Sequence, residues 1–139
     1  MTKLKNAYSS KPINNIFRDI EKILVTHKAQ RIMKEYENAQ VIGISFTIQV
    51  RGMYIPIKLP ARLKECRAVL KSQGFKYSDE QIYRVSWRNI EDWIASQMAM
   101  IDLDMVKIEE IFLPYMTDRT GKTYFEKLNE SNFMLPDKT

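Results

Sequence analysis

At 139 residues the chain has room for one hydrophobic core and is short for two. Hydrophobic residues make up 45% and charged residues 28%, which excludes a disordered chain, and no apolar run approaches the roughly 18 residues needed to span a bilayer. One cysteine, Cys66, excludes an internal disulfide, and one histidine beside it excludes the usual zinc ligand sets. The N-terminal MTKLKNAYSSKP is basic but lacks the apolar stretch of a signal peptide, so a cytoplasmic protein is expected.

The net charge of +5 is unevenly spread. Residues 1–77 hold 15 basic and 5 acidic side chains, whereas 78–118 hold 3 basic and 9 acidic. Such a chain has a basic part suited to an anionic partner, or two halves that neutralise each other inside one fold. Residues 1–11 are expected as a basic tail, 12–130 as a single domain and 131–139 as a second tail.

Ser10 is the expected N-cap of a first helix, with Pro12 in its first turn. Ile13, Ile16, Phe17, Ile20, Ile23 and Leu24 form its apolar stripe, which fades near His27. Arg31–Tyr36 fits either helix or strand. It is taken as a strand because Ile44, Phe46, Ile48 and Val50, then Met53, Ile55, Ile57 and Leu59, alternate with polar residues. These form a hairpin that needs a third strand or a packed helix. The first turn is placed at Glu37-Asn38 and the second at Arg51-Gly52, and Pro56 puts its strand at an edge. A helix over 61–72 ends at Gly74. Ser78 and Gln81 have capping-box spacing, with Tyr77 and Ile82 as a hydrophobic staple, for a long helix reaching Leu103. Shorter helices follow over 107–113 and 123–129.

Most clusters have a bland explanation. In RVSWRNIEDW, Arg84, Trp87, Arg88, Asp92 and Trp93 sit at helical spacing and read chiefly as a structural seam, with a binding role as the alternative. TGKT lacks the earlier glycine and the strand of a phosphate loop. Asp102, Asp104, Glu109 and Glu110 lack the pattern of a calcium loop. Lys64 and Arg67 near Cys66 could depress its pKa, but no catalytic partner is evident. The expectation is therefore no enzyme, no metal and no cofactor. The most suggestive surface is the polar face of the hairpin, carrying Ser45, Thr47, Gln49, Arg51, Tyr54 and Lys58. There a tyrosine could stack a base while cations meet phosphates. Arg62, Lys64, Arg67 and Lys71, with the tail lysines Lys3, Lys5 and Lys11, would extend that track.

VIGISFTIQVRGMYIPIKLP, YRVSWRNIEDWIASQMAMID, IFLPYM and GKTYFEKL together resemble a family of small proteins from phages, prophages and their bacterial hosts. The likeness runs from about Ile13 to Leu128 and is carried by Arg84, Trp87, Arg88, Asp92, Trp93, Gln97, Pro114 and Tyr115. Members often carry glycine where Lys28 and Asp104 stand here. The resemblance brings no established activity. It implies a phage or mobile-element setting, in which small basic proteins serve replication or recombination or block a host defence.

The fold expected is α+β: an N-terminal helix, a three-stranded antiparallel meander and a helical C-terminal half on one face of the sheet. The function expected is that of a non-enzymatic accessory protein binding DNA or RNA through a basic stripe of Gln49, Arg51, Tyr54, Lys58, Arg62, Lys64 and Arg67. The alternative is an inhibitor or adaptor that binds a host or phage protein complex. No membrane partner is expected.

Overall fold

The computed structural model describes residues 2–134. Its elements are α1 (Ile13–Thr26), β1 (Gln30–Glu37), β2 (Gln40–Val50), β3 (Met53–Pro60), α2 (Leu63–Ser72), α3 (Asp79–Asp102), α4 (Ile108–Phe112), a 3-10 turn over Leu113–Tyr115, and α5 (Tyr124–Glu130). The strands form one antiparallel sheet in the order β1-β2-β3, so the architecture is α+β, with α1 ahead of the meander and the remaining helices after it. Arg31–Tyr36 lies within β1, and Pro56 lies on the edge strand β3.

Both hairpin loops contain two residues with positive φ, Asn38-Ala39 and Arg51-Gly52. This is the backbone of a type I′ turn, whose twist matches that of the flanking strands. The first turn therefore lies one residue later than Glu37-Asn38, because Glu37 still pairs with Gln40. Helix α1 starts at Ile13 with Pro12 in the capping position, so Ser10 is not its cap. Had Ser10 capped it, Lys11 would need a helical backbone immediately before proline, which the pyrrolidine ring disfavours.

One face of the sheet is apolar. Val41, Ile44, Phe46 and Ile48 of β2 and Ile57 and Leu59 of β3 are buried against Ile16, Phe17, Ile20 and Leu24 of α1 and Trp87, Ile94 and Met98 of α3. Phe112 of α4 closes this core, its ring edge-on to Phe46 at 5.5 Å. A second, smaller core joins Ala7, Leu70, Ile82 and Val85. Through Ala7 and Leu4, the segment expected as an N-terminal tail packs on α2 and α3.

Ser78 caps α3 by accepting from the Gln81 N–H at 3.2 Å. The reciprocal half of the expected capping box is missing, because the Gln81 amide donates instead to the Ser9 carbonyl at 2.9 Å. The staple residues Tyr77 and Ile82 both belong to the second core. Thr123 does form a complete box with Glu126 at the start of α5, so TGKT is a turn that opens a helix.

Lys28 (φ 67°) and Asp104 (φ 59°) follow the ends of α1 and α3 in the left-handed conformation that terminates helices. Neither side chain has a hydrogen-bond or ion-pair partner among the described residues, so both carry steric strain without compensation. That strain is roughly 1–2 kcal/mol, against about 0.5–1 kcal/mol for the backbone entropy a glycine adds. Lys28→Gly and Asp104→Gly should each raise stability by up to about 1 kcal/mol, the lysine change more, because aspartate tolerates this region better. Thermal melts check this, and a lowered midpoint for Lys28→Gly would contradict it.

Candidate nucleic-acid interface

The hairpin residues of the expected stripe do share one region. Gln49 and Tyr54 are cross-strand neighbours, Arg51 lies in the turn beyond them, and Lys58 pairs with Ser45 further along. Tyr54 is 56% exposed. This face is not purely basic, however. Glu35 of β1 accepts the Ser45 hydroxyl proton and lies 4.0 Å from the Lys58 ammonium. A shallow groove of about 330 Å³ between Arg31, Glu35, Thr47, Lys58 and Gly121 therefore carries mixed charge.

Arg62, Lys64 and Arg67 lie elsewhere. After β3 the chain turns at Ala61, whose N–H donates to the Ile42 carbonyl at 2.7 Å, and α2 folds back onto α3. Its residues Cys66 and Val69 line a cavity with Leu59, a residue of the sheet's apolar face. The α2 cations thus belong to the helical layer and do not continue the polar face of the sheet. The reason is the apolar side of α2: Leu70 is fully buried, and burying it against α3 outweighs keeping the helix beside the strands.

On α2 the cations are well ordered by sequence. Lys64, Arg67 and Lys71 are spaced i, i+3, i+7 and all exposed, so they form one stripe along the helix. Gly74, at φ 86°, ends the helix and turns the chain into Phe75-Lys76-Tyr77. The Phe75 and Tyr77 rings stack at 4.8 Å, and Tyr8 meets Phe75 edge-on at 5.4 Å. The Lys3 ammonium lies 5.0 Å from the Phe75 ring centre. A pocket of about 270 Å³ opens here among Arg67, Lys71, Lys76, Phe75 and Tyr77. Arg67 pairs with Asp79 at 2.5 Å, but both side chains are well exposed, and such pairs are weak and exchange readily with other anions. From the sequence alone neither Phe75 nor Lys76 is singled out, and Tyr77 is placed only in the staple. The signal was present in the alternation of aromatic and basic residues directly after a basic helix.

The tail lysines are engaged differently. Lys11 contacts Asp19 and Glu91, both at 2.7 Å, and Lys5 contacts Asp92 at 3.3 Å. Burial works to lower the Lys11 pKa, but hydrogen bonds from its ammonium to Asp19 and Glu91 outweigh it and raise the value. Glu91 and Asp92 also hold Arg88. The Asn6 amide donates to Asp92 at 3.0 Å, and the Asn89 amide donates to the Lys5 carbonyl at 2.8 Å. Within RVSWRNIEDW, Asn89, Glu91 and Asp92 therefore bind the N-terminal segment. The tryptophans face inward: Trp87 is fully buried edge-on to Phe17 at 4.9 Å, and Trp93 meets Phe112 and Tyr115. Arg84 leans on Gln81 and Glu80.

Other candidate groups fall to structural roles. Burial pushes the Cys66 thiol up, opposite to the shift that Lys64 and Arg67 suggested, because neither cation reaches the sulfur. His27 bridges two helix ends, with Nδ1 2.8 Å from the Ile23 carbonyl and Nε2 3.0 Å from Asp102. Asp118 organises the 117–123 turn by accepting from the Thr120 hydroxyl and from two backbone N–H groups, and Lys127 beside it holds the carboxyl well below its usual range. Among the described residues no three His, Cys, Asp or Glu side chains gather to hold a metal. Nor is any described helix long and apolar enough to cross a membrane. Comparison with known proteins finds no matching family model, no similar curated protein and no similar solved structure.

The clamp on α3 has a defined acid response. Burial works to raise the Asp92 pKa, but hydrogen bonds from Asn6, Arg88 and Lys5 outweigh it and depress the value. The Asp19 carboxyl is depressed chiefly by Lys11. Both groups then contribute stability that is complete above the unfolded value of 3.8 and is lost as pH falls through the lower folded values. Urea midpoints should hold steady down to about pH 4 and then decline. Asp92→Asn should start lower at neutral pH and decline less steeply, and parallel profiles for the two proteins would contradict this assignment.

Proposed function

We propose that this is a non-enzymatic accessory protein that binds single-stranded nucleic acid through α2 and the turn after it. The observation that carries this reading is the exposed stripe of Lys64, Arg67 and Lys71 leading into the pocket of Lys76, Phe75 and Tyr77. Regularly spaced cations meet successive phosphates, and the Tyr77 ring that lines the pocket beside them offers a platform for an unstacked base. A duplex keeps its bases within its own stack, so this platform favours a single strand. The setting proposed is the cytoplasm of a bacterial cell carrying a phage or mobile element, as the family resemblance implies.

The sheet face contributes less in this reading, because Glu35 places negative charge where a polyanion would run. Fluorescence anisotropy with a labelled single-stranded oligonucleotide tests the proposal. Affinity should fall steeply with salt, since phosphate contacts release counterions. Replacing Lys64, Arg67 and Lys71 together with glutamine should weaken binding at least tenfold and flatten the salt slope. Replacing Arg51, Tyr54 and Lys58 together should change it less than about threefold. No complex at low salt rejects the reading, and the reverse order of the two triple variants moves the interface to the sheet.

A protein-binding inhibitor or adaptor is the second reading. It is favoured by the turn after α3, where exposed Leu103 and Met105 alternate with Asp102 and Asp104. Apolar anchors ringed by acids suit a basic protein partner. An association that survives nuclease digestion and is lost in a Leu103→Ser, Met105→Ser variant would favour it over nucleic-acid binding.

A further inference from the structure

A cavity of about 420 Å³ lies between α2, α3 and the end of β3, apart from the basic stripe. Leu59, Val69, Ile90 and Trp93 supply apolar walls. Among them, Ser86 lines the space and is only 8% exposed. Its hydroxyl has no hydrogen-bond partner among the described residues. A serine buried in a helix normally returns its proton to the preceding turn, as Asn89 does here with the Val85 carbonyl. The Ser86 oxygen keeps access to the cavity, so it is free to pair with a molecule bound there. At the mouth stand Arg62 and Glu65, both exposed and without an ion-pair partner among the described residues. Their opposite charges cancel, so the entrance favours neither an anion nor a cation.

We propose that this cavity binds an uncharged amphiphile: an apolar body of about ten carbons with a single hydroxyl or carbonyl that pairs with Ser86. The volume falls within the range of small-molecule sites, and apolar walls with one polar anchor are their usual construction. A charged head would lose water without a net countercharge to receive it. The site is independent of the nucleic-acid reading, since neither Ser86 nor Trp93 belongs to the basic stripe.

The test uses 1-decanol on the full chain, with decanoate and decylammonium as charged comparators, all below their micellar concentrations. Tryptophan fluorescence and the NMR shift of the Trp93 indole N–H report binding. Decanol should bind saturably at one site, at least several-fold tighter than either ion. Ser86→Ala should weaken it about fivefold, the worth of one neutral hydrogen bond. Val69→Trp should abolish it by filling the cavity from an exposed helix position, where a larger side chain leaves the fold intact. Tighter binding of either ion, no saturation, or equal binding to a folded Val69→Trp protein would overturn the proposal.

Discussion

The fold turns on how α3 grips both backbone polar groups of one residue of the sheet, Val41. The Val41 N–H donates to the Tyr83 hydroxyl at 2.7 Å, and the Val41 carbonyl accepts from the Trp87 indole N–H at 3.1 Å. These bonds fall where the pairing of β1 with β2 shifts register, between Glu35 and Tyr36. A buried indole N–H must find an acceptor, and a buried backbone group must find a partner, so each side meets the other's need. Because Tyr83 and Trp87 are one helical turn apart, the two bonds fix both the height and the rotation of α3 over the sheet. Phe17 then docks α1 on the same two rings, at 6.1 and 4.9 Å. Losing the Trp87 side chain would remove a bond and a large buried surface together, a loss on the order of 3–5 kcal/mol.

With α3 set in place, charge sorts itself by location. The helix offers Glu91 and Asp92 on the side facing the N-terminal segment, and Lys5 and Lys11 are drawn there. Asp79 takes Arg67 and Glu21 takes Lys34, leaving Lys64 and Lys71 of α2 without carboxylate partners among the described residues. The split between a basic and an acidic half therefore serves two ends. Part of it holds the fold together, and the part left on α2 is open to an outside anion.

Much of this architecture was legible in the sequence because its periods were clean. The alternation of Ile44, Phe46 and Ile48 against Ser45, Thr47 and Gln49 defined β2 and its two faces, and the stripe from Ile16 to Leu24 defined α1. The ambiguous Arg31–Tyr36 followed from elimination, since two strands alone would be marginal. What did not show was where α2 would go. Nothing in the local pattern of residues 61–72 says whether that helix lies beside the sheet or against α3, because the choice depends on Leu70 meeting Ile82 and Val85 in the tertiary structure. The expected continuous stripe of Arg51, Tyr54, Lys58, Arg62, Lys64 and Arg67 failed at that junction. Similarly, Lys5 and Lys11 look like tail cations until Asp92 and Glu91, some eighty residues on, are brought beside them.

That distance has a bearing on the order of assembly. Asn6 contacts Asp92, 86 positions away, and Lys11 contacts Glu91, 80 positions away. During synthesis the α1–β3 portion can gather its local contacts as it emerges, but the first dozen residues can complete theirs only once most of α3 has left the ribosome. The earliest part of the polypeptide to be made is thus among the last to settle, and the N-terminal segment serves as a late latch on a helix already in position.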